Sequence, residues 1–342
     1  MKFFNWKTGI LALALSTSAA TAQAQTTDLR FAHWLPEPHP FHQTGFKVWA
    51  ESLEQASGGT LRVSFFPAQQ LGAAADHHDM ARDGIADLAW TNMGYQPGRF
   101  PVAGAGEMPF LIGDSVAGST VFHNWYAQYA AEELRGVKLC LVHLQPSGAM
   151  HSKRPITHPD HLRGMTLRPP SAFIGRFFSQ LGASNVQVSA PESREALARG
   201  TADALGFPWD SIYTFGIDQV VDHHLDMPLY VNVFGLMMNQ RTYDRMNAQQ
   251  KAAIDEHCSA EWAGRIMSRW NENNLNARQR FIDDPGHTVH TPSESELQAW
   301  LEASEQIRLD WQADVTRAGH DAQALWSELV EALEAAGAAY RP

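Results

Sequence analysis

The chain is poor in cysteine, with only Cys140 and Cys258 among its 342 residues. Two thiols so far apart supply no disulfide framework. Cys140, inside the apolar run from Lys138 to Leu144, reads as a buried strand residue rather than half of a bridge. Beyond the first two dozen residues no apolar stretch is long enough to span a bilayer, so no direct membrane insertion is expected. Positive charge is scarce too: 26 Lys and Arg stand against 37 Asp and Glu, for a net charge of -11. That balance argues against nucleic acid and anionic membrane surfaces as partners, but leaves room for a local cation inside a pocket. The enzyme signatures are missing as well. There is no Gly-x-Ser-x-Gly elbow, no Gly-x-Gly-x-x-Gly, no phosphate loop and no His-Glu-x-x-His. Ser147-Gly148 and His151 can be drawn into a triad, but spacing alone does not license an exported hydrolase. No catalysis and no cofactor are expected.

What is present begins with an address. Lys2 and Lys7 flank a positive region, Ile10 to Leu15 is apolar, and Ala22-Gln23-Ala24 has the small-x-small pattern of a signal-peptidase site. Residues 1–24 therefore read as a secretory signal, with a mature periplasmic chain starting near Gln25. Its removal, which takes away Lys2 and Lys7 and no acid, moves the net charge from -11 to -13. With 44% hydrophobic and 18% charged residues the profile is globular and long enough for two domains.

Along the chain, strand and helix signals alternate. Leu29 to Trp34, Leu61 to Phe66 and Ile85 to Trp90 read as strands, with helices between them and a Gly/Pro-rich stretch from Gly94 to Pro109. A helix is expected over 116–134 and a strand over 137–144. The pattern then restarts: strands at 165–168, 185–188 and 202–207, helices at 172–181 and 191–199, and an apolar segment, 227–238, returning to the first sheet. This is an α/β chain of two lobes with mainly parallel βαβ units. From Ala248 the character turns helical. Residues 249–281 form one long helix or two in series, and 293–318 and 322–336 form further amphipathic helices.

Strand ends nominate the site, because ligands of open α/β sheets bind outside the carboxyl ends of the strands. Thr166-Leu167-Arg168 is stopped by Pro169-Pro170, so Arg168 is the last strand residue. A guanidinium fixed there can grip a carboxylate with two parallel hydrogen bonds, or it can simply pair with a surface acid. His33 and Trp34, Trp90 and Asn92, and Phe207, Trp209 and Asp210 occupy comparable positions. An indole at 209 could cover an apolar ligand body or attract a cation. Asp210 either lines the pocket or caps a helix starting at Ser211. Asp76-His77-His78-Asp79 and Asp222-His223-His224 place adjacent histidines on different faces, so both read as solvated surface histidines rather than metal ligands.

The ordered segments Ser57-Gly58-Gly59, Leu71-Gly72, Asp83-Gly84-Ile85-Ala86-Asp87, Pro97-Gly98-Arg99-Phe100-Pro101 and Met108-Pro109-Phe110-Leu111 carry a resemblance. So do Lys153-Arg154-Pro155-Ile156, Asp160 to Arg168, and Glu192 to Asp203. Together they resemble the periplasmic solute-binding subunits of TRAP transporters, the DctP-like family, over nearly the whole mature chain. The resemblance implies a two-lobed periplasmic-binding-protein fold, with mixed sheets flanked by helices, a long helix spanning both lobes and a helical C-terminus. It implies lobe 1 over 25–144 plus about 233–265, and lobe 2 over 145–232 plus about 266–342. It also implies a monomer that captures a small organic acid in the cleft, on Arg168, and passes it to membrane permease subunits. Two positions depart from the family's pattern: Phe207 stands where many members have Asn, and Arg194 where many have Tyr. Gly206-Phe207-Pro208-Trp209-Asp210 instead resembles a subgroup with a Phe-Pro-Trp-acid wall, which puts the usual sugar-acid and C4-dicarboxylate ligands in doubt. On this reading Trp209, Trp34 and Trp90 form walls and Asn92 and Asp210 read polar groups. The alternative on the same fold is a small cationic amine, with Arg168 held by a protein carboxylate.

Overall fold

The alternating signals resolve into two sheets, each flanked by helices. The computed structural model describes residues 26–342, so the expected signal segment lies outside the described residues. In chain order the elements begin with β1 (Thr27–Ala32), α1 (Lys47–Ala56), β2 (Leu61–Phe66), α2 (His77–Asp83), β3 (Leu88–Asn92) and α3 (Ser115–Tyr126). Next come α4 (Ala130–Glu133), β4 (Val137–Leu144), β5 (Gly148–Ser152), β6 (Thr166–Arg168), α5 (Ala172–Gln180) and β7 (Ser184–Asn185). Then follow α6 (Ser193–Ala198), β8 (Ala204–Pro208), α7 (Trp209–Thr214), β9 (His223–Tyr230), β10 (Val233–Asn239), α8 (Gln240–Arg245), α9 (Ala248–His257) and α10 (Ala260–Asp283). The chain closes with β11 (Thr288–His290), α11 (Glu294–Ala303), α12 (Glu305–Arg317) and α13 (Ala322–Ala335).

The first sheet has the order β2-β1-β3-β10-β4 and the second β11-β9-β5-β8-β6-β7. Both are mixed. In the first, β1 runs parallel to β2 and β3, while β10 is antiparallel to β3 and β4. In the second, β6 is parallel to β7 and β8, while β5 is antiparallel to β8 and β9. The apolar 227–238 segment is therefore shared. β9 belongs to the second sheet and only β10 returns to the first, so the chain crosses between sheets here as it does from β4 to β5. The two crossings lie side by side, with Gln145 N donating to Asn232 O at 3.1 Å.

The third connection is α10, 24 residues long, or roughly 36 Å at 1.5 Å per residue. It approaches α3 closely through Gly264, where a Cβ would lie 2.3 Å from Thr120 Oγ1. Farther along, Trp270 packs on Phe41 of the first lobe and Phe281 stacks on Tyr213 of the second. Its buried residues Trp262, Ile266, Trp270, Ala277 and Phe281 recur at helical spacing. One core therefore runs without interruption from α1 and the first sheet, along α10, to α7 and the second sheet. The other core is closed by α3, α5 and the C-terminal helices, with a strand bridge from Ile112 to Ala339 fastening the chain's end to the first lobe.

Several expectations are corrected. The helix expected over 116–134 stops at Tyr126, and that over 293–318 breaks at Ser304, whose Oγ donates back to Leu301 O at 2.7 Å. Cys140 and Cys258 are joined in a disulfide. Sequence spacing could not reveal this, because only the folding of α9 against β4 brings the elbow between α9 and α10 onto the sheet. His77, His78 and His224 are buried, not solvated. His77 Nδ1 lies 3.0 Å from Trp90 O, and His224 bonds His151 and His287 through its two ring nitrogens.

Burial is the leading cause that holds nine histidines below their ordinary range: His33, His39, His42, His77, His78, His123, His143, His151 and His224. His39, His143 and His151 are pushed down to about 3. These imidazoles must stay neutral in the fold but charge freely in the unfolded chain. Their stabilisation is complete above the unfolded value near 6.5 and is lost as pH falls below it. Three carboxyls raised by burial, Glu107, Glu133 and Asp210, work in the opposite sense and are outnumbered. The melting temperature should therefore drop between pH 7 and pH 5, by the equivalent of a few kcal/mol as an order of magnitude. Scanning calorimetry across that range checks this, and a flat or rising profile would contradict it. The disulfide closes a loop with a sequence separation of 118. Replacing both cysteines with serine should cost about 2–5 kcal/mol, read as a lower melting temperature under non-reducing conditions, whereas an unchanged value would show that the bridge adds nothing.

Candidate functional site

β6 ends at Arg168 because Pro169 and Pro170 cannot extend it, and this leaves the guanidinium at the seam between the lobes. It is 1% exposed. Arg168 Nε donates to Val188 O at 3.0 Å, Nη2 donates to Tyr95 Oη at 3.0 Å, and the charge lies 5.2 Å from the centroid of the Phe207 ring. Of the five N–H groups of a guanidinium, these bonds use two. Among the described residues no carboxylate pairs with it. A charge taken out of water without an opposite charge costs several kcal/mol, which makes Arg168 the most expensive group at the seam to leave unpaired.

Arg168 lines a small cavity of about 20 Å³ between the lobes. Trp34, Tyr95, Phe207, Phe215, Phe234 and Trp270 give it aromatic walls, and Asn92, Gln145 and Asn232 add amide edges. The walls are braced from behind. Trp34 stacks on Trp90 at 4.7 Å between centroids, and Trp90 on Phe234 at 4.3 Å. Trp90 Nε1 donates to His143 Nε2 at 2.9 Å, which fixes both rings. Asn92 caps its own turn by accepting from Gly94 N at 3.0 Å and reaches across the seam to Pro170 O at 3.4 Å.

The eight candidate residues separate into two groups. Arg168, Phe207, Asn92 and Trp34 line the cavity. Trp90 forms the layer beneath Trp34. His33 lies away from it, among the rings of Phe31, His42, Phe46 and Phe65. Trp209 turns into the second lobe, edge-on to His151 at 4.9 Å and against His224 and Phe281. Asp210 sits in the first turn of a helix that begins at Trp209, not Ser211. Its Oδ2 accepts from Trp270 Nε1 at 2.9 Å, and burial pushes its carboxyl up to about 7. Asp210 thus holds a wall residue in place. The sequence reading missed Tyr95, Gln145, Phe215, Asn232, Phe234 and Trp270. The one signal for Tyr95 was the Asn-x-Gly turn that follows β3; Trp270 was indistinguishable from a core stripe.

The amine alternative needed a protein carboxylate on Arg168, and the structure supplies none among the described residues. The hydrolase alternative needed His151 as a base. Both its ring nitrogens are engaged, with His224 Nδ1 at 2.7 Å and Phe207 O at 3.0 Å.

A larger cavity of about 600 Å³ lies on the other side of the seam, with Met93, Phe100, Phe173 and Trp311 in its walls. There Arg176 and Arg317 share Asp314, a pairing of two cations on one carboxylate, with buried Glu107 also in the wall. Buried Glu107 stands between the two cavities, accepting from Asn232 Nδ2 at 2.9 Å. The larger cavity has the room and the smaller the unpaired buried guanidinium; at about 20 Å³ the smaller holds about one water, so a larger solute would enter it only as the lobes part.

Residues 31–314 match the model of the bacterial extracellular solute-binding proteins, family 7. A solute-binding protein of Albidiferax ferrireducens is 25% identical over 219 residues, covering 61% of this chain and 64% of that protein. Among solved structures, a marine metagenome TRAP solute-binding protein specific for aromatic acid ligands, in complex with metahydroxyphenylacetate, superposes with a TM-score of 0.85 at 28% identity, covering 92% of this chain and 99% of that one. One from Rhodoferax ferrireducens, in complex with copurified benzoate, gives a TM-score of 0.87 at 24% identity, covering 91% of this chain and 99% of that one.

Proposed function

The chain belongs to the bacterial extracellular solute-binding proteins of family 7, and from that premise we propose that it captures a small aromatic carboxylate between its lobes. It is the solute-binding part of a TRAP transport system rather than an enzyme. The observation that carries the ligand assignment is the 1% exposed guanidinium of Arg168 with no carboxylate partner among the described residues. A carboxylate that replaces the missing counter-charge converts the most costly group in the seam into a bidentate pair.

The walls then select what the carboxylate is attached to. Indole and phenyl faces from Trp34, Phe207, Phe215, Phe234 and Trp270 suit a flat ring, for which offset and edge-on contacts are favourable. They suit a sugar acid or a second carboxylate poorly, because the cavity offers amide edges but no second cation. The aromatic-acid specificity of the metagenome relative supports the same class. Closure follows from position: a solute held by both lobes binds the closed form better than the open one and shifts the population accordingly.

With Arg168→Ala, the dissociation constant for an aromatic acid that binds the wild-type protein should rise by roughly thirtyfold to a few thousandfold, equivalent to about 2–5 kcal/mol. Asp210→Asn keeps an acceptor for Trp270 and should cost less than about tenfold. Isothermal calorimetry on both variants decides the matter. An unchanged constant for Arg168→Ala, or a larger loss for Asp210→Asn, would overturn the assignment.

A further inference from the structure

We infer that Tyr95 is a ligand-contacting residue that couples the solute's negative charge to closure of the lobes, a role that rests on the carboxylate reading above. Tyr95 ends the turn Met93–Tyr95 that follows β3, in the first lobe. Its Oη lies 3.0 Å from Arg168 Nη2 and 2.9 Å from Ala190 N, both in the second lobe. A guanidinium and a backbone amide can only donate, so the phenol oxygen accepts from both and its own proton must go elsewhere. Among the described residues no acceptor lies within hydrogen-bond distance of that proton, and the side chain lines the same cavity as Arg168.

The surroundings supply more donors. Gln145 lines the same cavity with its Nε2 buried, and the buried Tyr230 hydroxyl lies beside it and Arg168. Burial raises the Tyr230 phenol, which keeps its proton. Protons converge here from Arg168, Tyr95 and Gln145, and the group that completes the set is the solute carboxylate. Two donors, one of them cationic, polarise the Tyr95 O–H and make it a stronger donor to that anion. The arrangement exists only when the lobes meet. Gly94 permits the approach: a Cβ there would lie 2.3 Å from Ser171 Cβ and 2.8 Å from Glu107 Oε1. In an open form Tyr95 leaves Arg168 behind, so the solute gains the phenol's bond only on closure, which is the differential contact a ligand needs to shift the equilibrium.

The test uses the full mature protein, its Tyr95→Phe variant and whichever aromatic acid binds the wild type in a thermal-shift panel. Calorimetry gives affinity, small-angle scattering at saturating ligand gives closure, and the melting temperature of the ligand-free protein reports packing. In the variant, affinity should fall roughly ten- to a hundredfold, scattering should show incomplete closure at saturation, and the ligand-free melting temperature should stay put. Wild-type affinity with full closure would overturn the inference. So would a ligand-free melting temperature that falls as far as the affinity loss requires, because Tyr95 would then be packing alone. If no aromatic acid binds the wild-type protein, or Arg168→Ala binds as well as wild type, the carboxylate reading itself fails and the role of Tyr95 falls with it.

Discussion

The structure depends on a charge that the protein does not neutralise. Arg168 is buried at the seam, held by one carbonyl and one phenol and laid against the Phe207 ring, with the rest of its N–H groups uncommitted. An enzyme or a structural protein would pair such a group with Asp or Glu. Here two buried acids that bond residues of the cavity wall have other duties: Asp210 accepts from Trp270, and Glu107, raised by burial, accepts from Asn232. On the function proposed above, leaving the counter-charge to the solute would make anion binding and lobe closure a single event. It also makes the empty closed form costly, which favours opening when no solute is held.

Everything else keeps that seam in register while allowing it to move. The lobes are joined by the paired crossings at Gln145 and Asn232 and by α10, whose Trp270 forms part of the cavity wall. The disulfide pins the start of α10 to β4 in the first lobe. Its far end is packed in the second lobe against Tyr213 and His224. A helix fixed at one end and packed at the other can carry a small rotation as a unit. The hydrogen-bonded histidines His151, His224 and His287 give the second lobe a rigid floor beneath Phe207.

Much of this was legible in the sequence, because strand ends follow from local rules. The proline pair fixed the end of β6 and so the place of Arg168. The same reasoning put Phe207, Asn92 and Trp34 at the cavity. It did less well for Trp209 and Asp210, where alternation along β8 and the turn into α7 rotate the side chains away from the seam. The histidine pairs read as solvated because adjacent residues point to different faces, yet packing of α2 on β3 and of β9 on β5 buries His77, His78 and His224. Tyr95, Trp270 and the Cys140–Cys258 bridge depend on contacts between segments distant in the chain, and no local pattern encodes those. The resemblance to a known family conveyed the two-lobed architecture, and the unpaired arginine adds a physical reason for the ligand's charge.

The most direct test of that charge requirement leaves the protein unaltered. A thermal-shift titration of the mature wild-type chain would compare small aromatic carboxylates with their neutral carboxamides, and include aromatic amines. A ligand at a hundred times its dissociation constant adds about 2.7 kcal/mol to stability. The account predicts that at least one carboxylate raises the melting temperature while its carboxamide and the amines do not. Equal stabilisation by acid and amide, or stabilisation by amines alone, would contradict it.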